Sequence, residues 1–172
     1  LIRRKKHARI WCVPCATGEE PLTLAMLLDR QGLFDRGSVE IRASDGSEAA
    51  LARARAGVYR ERAFRALPQH LLDEYFTAVD GRWRIDPRVH RRVVSWDRVN
   101  LMDDDQVRRR AAVDVILCRN VFIYFSGAGI RRVVNAFADE MNTPGYLCVG
   151  AAESLLRVTT RFDLQEIGGA FG

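Results

Sequence analysis

The chain has 172 residues, 27 Lys+Arg against 22 Asp+Glu, a net charge of +5 and 48% hydrophobic residues. That length suits one domain, which buries roughly 70% of its unfolded surface and needs no disulfide staples. The composition excludes disordered, collagen-like and Pro-rich classes, and no apolar run approaches the ~20 residues of a membrane span.

The start, Leu1-Ile2-Arg3-Arg4-Lys5-Lys6, is basic but leads into no apolar core or cleavage site, so a secretory signal is not expected and a cytoplasmic location is. The chain does not begin with Met, which points to a fragment or a processed product. The arginines fall at 53–65, 82–98, 108–110 and 131–132 with acids between them. They read as solvated faces rather than a nucleic-acid-binding stripe, so no nucleic-acid partner and no membrane insertion are expected.

Strand and helix signals alternate along the chain. Arg9–Val13 is a short strand-like run. Leu24, Leu27 and Leu28 then follow helical spacing within 20–28, with Gly32 as the stop. Val39–Ala43 alternates like a strand and runs into the turn Ser44-Asp45-Gly46. Ser47–Ala56 is rich in Ala, Leu and Arg and predicts a helix ending at Gly57. Pro68 opens a short helix over 68–76. Asp80-Gly81 turns into the alternating strand Arg82–Ile85, and Val93–Trp96 is a further strand. Val113–Cys118 is apolar apart from Asp114, the pattern of a strand buried on both faces. Ile130–Met141 predicts a helix whose apolar side carries Val133, Val134, Phe137 and Met141. Pro144-Gly145 then turns into the strand Tyr146–Val149. This order predicts an α/β fold, a doubly wound parallel sheet with right-handed crossovers.

Two readings compete for the loop after the first strand. Trp11-Cys12-Val13-Pro14-Cys15 resembles the thioredoxin active-site motif, W-C-x-P-C. A thioredoxin fold needs a strand and a helix upstream, however, and only ten residues precede Trp11. Zinc is a poorer fit, because Cys118 and Cys148 are isolated and no second C-x-x-C completes four ligands; no metal is expected. The other reading starts from Ala16-Thr17-Gly18-Glu19-Glu20-Pro21. In open α/β sheets, ligands bind outside the carboxyl ends of the strands. Here the first strand leads to Glu19 and Glu20, the second ends in Asp45, and the fourth ends in Cys118-Arg119-Asn120. Such a crevice suits S-adenosylmethionine, whose sulfonium and amino group are positive and whose ribose and adenine need hydrogen-bond partners.

At this point the chain resembles the CheR-type chemoreceptor glutamate O-methyltransferases. The matching stretches are Ile10-Trp11, Cys15–Pro21, Ala43-Ser44-Asp45, Ala54–Tyr59, Tyr75-Phe76, Asn100-Leu101, Cys118–Phe125 and Gly150–Ser154, in family order across nearly the whole chain. The resemblance implies a Rossmann-like class I methyltransferase domain over 1–172, with a small antiparallel β insertion near 60–92. It implies S-adenosylmethionine as cofactor, with S-adenosylhomocysteine as product, and glutamates in the cytoplasmic helical region of a chemoreceptor as substrate. Residue by residue, it assigns cofactor contacts to Glu20 and its neighbour Glu19, a ribose or adenosine contact to Asp45, and the adenine flank to Asn100 and Leu101. It assigns the methionine part to Arg119 and Asn120, and a place near the transferred methyl group to Tyr124. The bland alternatives are helix-start acids for Glu19 and Glu20, a turn-forming Asp45, a loop Asn100 and a core aromatic for Tyr124.

The departures matter too. The family's helical first domain and linker, which supplies a catalytic Arg, have no counterpart here. The usual aromatic after E-E-P is Leu22, and the usual G-H-S-E reads Gly150-Ala151-Ala152-Glu153. Both changes are expected to remove polar groups near the pocket mouth. These leave a second function open, a weak or inactive S-adenosylmethionine-binding docking or sensing module of a chemosensory pathway. The segment Phe76–Arg82 is short and lacks the G-x-G of members that grip a receptor's C-terminal peptide, so independence of that tether is expected. Cys15 and Cys118, ending neighbouring strands, are expected to lie near the crevice, where oxidation would block it.

Overall fold

Alternating apolar residues pair His7–Cys12 (β1) with Ser38–Asp45 (β2) in the computed structural model, which describes residues 7–167, 170 and 171. Val93–Arg98 (β6), Val115–Cys118 (β7) and Tyr146–Val149 (β8) complete a five-stranded sheet in the order β6-β2-β1-β7-β8, every pair parallel. Parallel pairing forces each connection across a face of the sheet, so helices cover both faces. Glu19–Arg30 (α1) and Glu48–Ala56 (α3) pack with Ile10, Cys12, Ile41 and Ala43. Asp104–Arg108 (α6) and Gly127–Glu140 (α7) pack on the opposite face with Trp11, Ile116 and Cys118. The alternation along β1 therefore sends Trp11 one way and Cys12 the other. Trp11 meets Phe137 edge to face at 5.8 Å and donates its indole N–H to Ser44 Oγ at 3.0 Å, which satisfies its polar atom in the core.

The order of the sheet puts the chain reversal between β1 and β7. Chain order runs outward from β1 in both directions, and the carboxyl ends of these two strands open a crevice there.

Between α3 and β6 lies a second, antiparallel sheet of Val58–Tyr59 (β3), Phe76–Val79 (β4) and Arg82–Ile85 (β5), in the order β3-β5-β4. Gln69–Tyr75 (α4) leads into it and Pro87–His90 (α5) follows it. Asp80 and Gly81 both have positive φ, +49° and +68°, as a two-residue hairpin turn whose twist matches the strands requires. Tyr59, Phe64 and Phe76 pack as mutual edge-to-face pairs beneath it.

Gly57 closes α3 at φ +60°, and a Cβ there would sit 2.7 Å from Ile85 Cγ2. Gly57→Ala combines a left-handed Ala with an overpacked contact, so we expect a loss of about 2–4 kcal/mol. Urea unfolding of the two proteins checks it; equal midpoints would contradict it.

Several expectations need correction. The strand at 113–118 starts at Val115, and Val115 and Leu117 stay partly accessible, so only one face is fully buried. β1 ends at Cys12, which leaves Cys15 in the loop. The turn at 44–46 begins later than expected, because Ser44 and Asp45 still pair with Asp97 and Arg98. The short helices Leu33–Arg36 (α2), α5 and α6 and the strand β4 were not signalled by periodicity; each is too short to show one. The segment beyond β8 ends in a two-stranded hairpin, Glu166–Ile167 (β9) with Ala170–Phe171 (β10). Among the described residues, no helix is long and apolar enough to cross a membrane.

Candidate functional site

The loop after β1 is held from three sides. Val13 N–H donates to Leu117 O and Cys15 N–H to Ser44 O, each at 2.8 Å, so the loop is stitched to both neighbouring strands. Ala16, at φ +47°, donates its N–H to Asp45 Oδ2 at 2.8 Å. Tyr59 of the antiparallel sheet donates its hydroxyl to Thr17 O at 2.9 Å. Gly18 follows at φ +94°, where a Cβ would lie 3.0 Å from Ala54 Cβ and 3.1 Å from the Trp96 ring. Only glycine lets the chain turn this close to α3 and β6 and enter α1.

The two glutamates then diverge. Glu19 is exposed, and both of its oxygens accept from Thr17 Oγ1, at 2.6 and 2.7 Å. Glu20 turns inward. Its Oε2 accepts from Arg119 Nη1 at 2.9 Å, which ties the start of α1 to the end of β7. Its Oε1 is buried and has no hydrogen-bond partner. A buried carboxylate oxygen without a donor is costly unless something supplies one. Next in the helix, Leu22 is 2% exposed and packs in the core, so the departure from the family's aromatic lies inside α1 and not at a pocket mouth.

Asp45, at the end of β2, is half-buried and spends each oxygen on a backbone N–H: Oδ2 on Ala16 and Oδ1 on Ser47, both at 2.8 Å. It joins the loop after β1 to the start of α3. A carboxylate has about four lone-pair sites, so each oxygen can accept once more. Asn100 is exposed, and its Oδ1 accepts from Met102 N–H at 3.0 Å. Leu101 is 6% exposed and belongs to the core on the α7 side, so its side chain serves packing.

After β7, Arg119 and Asn120 are exposed, and Asn120 adopts φ +59°. Tyr124 is 80% exposed, which removes the core-aromatic alternative. The geometry thus brings Glu20 and Arg119 into contact and joins Asp45 to the same loop. It shows no direct contact of Asn100 or Tyr124 with them.

Two participants escaped sequence reasoning. Glu153 is 7% exposed and accepts from three backbone amides, those of Gly150, Asn120 and Phe122, each at 2.7 Å. An acid behind small residues at a strand end was the available signal. Tyr59, the other, lay in a matched stretch with no role attached.

The four cysteines are free thiols. Cys15 packs with the α1 side of the sheet and Cys118 with the α7 side; both are buried, and Glu20 is a nearby charge for each. Burial, with Asp45 nearby, pushes the Cys15 thiol up to about 12, and burial also raises Cys12 and Cys118. None is primed as a thiolate, which argues against redox chemistry at Trp11–Cys15. A cavity of about 580 Å³ opens beside β8, lined by Met141, Leu147, Phe162 and their neighbours; it reaches Gly150 and Glu153 but not Glu20, Asp45 or Tyr124.

Comparison with known proteins gives the same direction. The chain is 32% identical over 166 residues to chemotaxis protein methyltransferase 2 of Vibrio cholerae, covering 95% of this chain and 57% of that protein. It is 38% identical to the chemotaxis protein methyltransferase of Vibrio parahaemolyticus, covering 93% and 59%. It is 33% identical to chemotaxis protein methyltransferase 1 of Pseudomonas aeruginosa, covering 94% and 60%. The chain therefore spans about three fifths of these relatives. A solved carbon methyltransferase, DszA, shares the fold, with a TM-score of 0.52 at 16% identity over 83% of this chain and 28% of that one. The family described as "CheR methyltransferase, SAM binding domain" matches residues 1–169. With that match, the crevice between β1 and β7 and the relatives at 32–38% identity, the chain belongs to the CheR methyltransferase family as its S-adenosylmethionine-binding domain.

Proposed function

We propose that the chain transfers the methyl group of S-adenosylmethionine to glutamate side chains in the cytoplasmic helical region of a chemoreceptor, acting in the cytoplasm. The observation that carries this is the buried, partnerless Oε1 of Glu20 beside its Arg119 ion pair. It is an acceptor suited to an ammonium, at the carboxyl end of the sheet where such cofactors bind.

The donor set fits the cofactor. Glu20 would hold the amino group. Asp45, with lone pairs left on both oxygens, would take ribose hydroxyls. Asn100 and the Leu101 backbone would flank the adenine, and Arg119 and Asn120 the methionine part. Glu19, turned out to Thr17, would shape the loop instead of touching the ligand. When bound, the cofactor supplies an electrophilic methyl group on a positively charged sulfur.

The chain has little acid–base work to do. A glutamate carboxylate has an ordinary pKa of about 4.3, so at neutral pH it is already the nucleophile. What the residues must supply is in-line alignment, worth up to roughly 7–11 kcal/mol. Tyr124, 80% exposed, would meet the arriving carboxylate and donate to it. The two-residue turn Asp80-Gly81 offers no long loop for a peptide tether, which supports direct receptor recognition.

The test is calorimetric titration with S-adenosylhomocysteine, followed by transfer of labelled methyl groups to a receptor cytoplasmic fragment. Micromolar binding with transfer supports the proposal. Binding without transfer to any receptor fragment favours the docking or sensing module. Tyr124→Phe should lower kcat by a few-fold to about tenfold, the worth of one hydrogen bond of ~0.5–1.5 kcal/mol, while S-adenosylhomocysteine affinity stays at the parental value. Parental kcat in Tyr124→Phe would remove Tyr124 from the reaction.

A further inference from the structure

We propose that Glu153 is a positioning residue whose carboxylate holds the Asn120–Tyr124 segment in the shape that the methyl-transfer site requires. Its consequence for the cofactor rests on the function proposed above.

β7 ends at Cys118, and the chain must reverse sharply to reach the 3-10 turn Phe122–Tyr124. The reversal passes through Asn120 at φ +59°, a left-handed conformation that an Asn adopts at a cost and that needs support from its surroundings. It also strands amides that neither β7 nor α7 can satisfy. One carboxylate satisfies them. Glu153 Oε2 accepts from Asn120 and Gly150, and Oε1 accepts from Phe122, all at 2.7 Å. Such bonds to an ionised acceptor are the strong kind. Burial opposes the charge of Glu153, yet the amides of Gly150, Asn120, Phe122 and Val121 outweigh it and hold the carboxyl below its ordinary range.

Gly150 fits the same device. A Cβ there would lie 2.6 Å from Glu153 Oε2 and 3.1 Å from Asn120 N, so a side chain would displace the carboxylate from its amides. The Glu153 N–H returns to Gly150 O at 2.8 Å and closes the turn. The carboxylate therefore bolts the end of β8 to the end of β7. Arg119, with its ion pair to Glu20, leads into the bolted segment, and Tyr124 ends it, its N–H on Val121 O at 3.0 Å. This places the residues assigned to the methionine part and to the acceptor on one support.

A second buried acid separates positioning from plain stability. Asp114 sits at the amino end of β7, 3% exposed, and accepts from Arg9 N–H at 2.8 Å and Asn142 Nδ2 at 2.9 Å. Removing its charge should cost stability at the end of the sheet away from the crevice.

The experiment compares Glu153→Gln with Asp114→Asn in the whole chain. Gln keeps one acceptor oxygen and sets its amino group against at least one amide that is itself a donor, so the bolt loses its charge and part of its bonds. Without ligand, hydrogen exchange at Asn120, Val121 and Phe122 should quicken by about tenfold or more in Glu153→Gln, beyond any global change, and not in Asp114→Asn. The S-adenosylhomocysteine Kd should rise about tenfold or more in Glu153→Gln, with kcat falling further than acceptor KM changes, while Asp114→Asn keeps the parental Kd. If Glu153→Gln does not fold, Gly150→Ala displaces the same carboxylate and should give the same pair of changes. Exchange at 120–122 that rises no more than in Asp114→Asn overturns the proposal, as does a parental Kd. If the parent itself does not bind S-adenosylhomocysteine, the proposed function falls, and the exchange measurement still decides the role of Glu153.

Discussion

Glu20→Gln is expected to weaken S-adenosylhomocysteine binding by roughly ten- to 150-fold, the value of a charge-assisted hydrogen bond of ~1.5–3 kcal/mol. Gln is close to isosteric, so packing at the start of α1 is retained and the change isolates charge and acceptor capacity. Two losses add. The buried Oε1 position no longer carries an anionic acceptor for an ammonium, and Arg119 loses its partner at 2.9 Å. The pair itself contributes modestly to stability. Arg119 is 49% exposed and solvent screens the attraction, so folding should change by less than about 1 kcal/mol. The signature is therefore a large fall in affinity with a nearly unchanged melting temperature. Glu19→Gln is the internal control. Its oxygens face Thr17 and solvent, and its binding should stay parental. Equal weakening by both variants would mean a general field of negative charge at the helix start rather than a specific contact. Parental binding in Glu20→Gln would remove the ammonium site from the crevice.

What could be read in advance follows from the range of the physics involved. Val39–Ala43 announced a strand because burial on a sheet is a local, alternating property, and Tyr146–Val149 announced one as an apolar run after the turn Pro144-Gly145. The helix over 48–56 was legible through propensity and its Gly57 stop, both local in the chain, while the Ser47 cap shows only in the structure. The sheet order needed the regularity of right-handed crossovers as well. The site was legible as residue types at strand ends, but their use was not. Nothing in the sequence distinguishes an Asp45 that meets a ligand from one that accepts Ala16 and Ser47 amides, because those partners come together only in the fold. The same holds for Glu153, whose amide donors at Asn120 and Phe122 lie some thirty positions away. Leu22 misled for the opposite reason: a motif position suggested the pocket mouth, whereas the apolar stripe of α1 takes it into the core. Cys15 seemed to end a strand because its neighbours are apolar, yet Val13 and Cys15 leave the ladder to bond Leu117 and Ser44.

Asp45→Ala should abolish detectable cofactor binding and also lower stability, and Asp45→Asn separates the two effects. In Asp45→Ala the amides of Ala16 and Ser47 lose their acceptor together. Ala16 holds a left-handed turn of the loop after β1, so its release loosens the segment leading to Glu20. Ser47 caps α3 through Oγ to Ala50 N–H, so the start of that helix frays as well. Because Asp45 is only half-buried, water replaces part of what is lost, and we expect a cost of about 1–2 kcal/mol, or roughly 2–8 °C in melting temperature. Asn keeps one carbonyl oxygen for Ala16 or Ser47 but has no charge and fewer lone pairs for ribose hydroxyls. Asp45→Asn should therefore unfold within a few degrees of the parent, while the S-adenosylhomocysteine Kd rises about tenfold or more, as the loss of charge-assisted bonds requires. If Asp45 serves only as a clasp, the outcome reverses: affinity in both variants tracks melting temperature, and Asp45→Asn binds almost as the parent does. Affinity lost at constant stability makes the end of β2 part of the cofactor site; affinity that follows stability confines Asp45 to shaping the loop on which Glu20 stands.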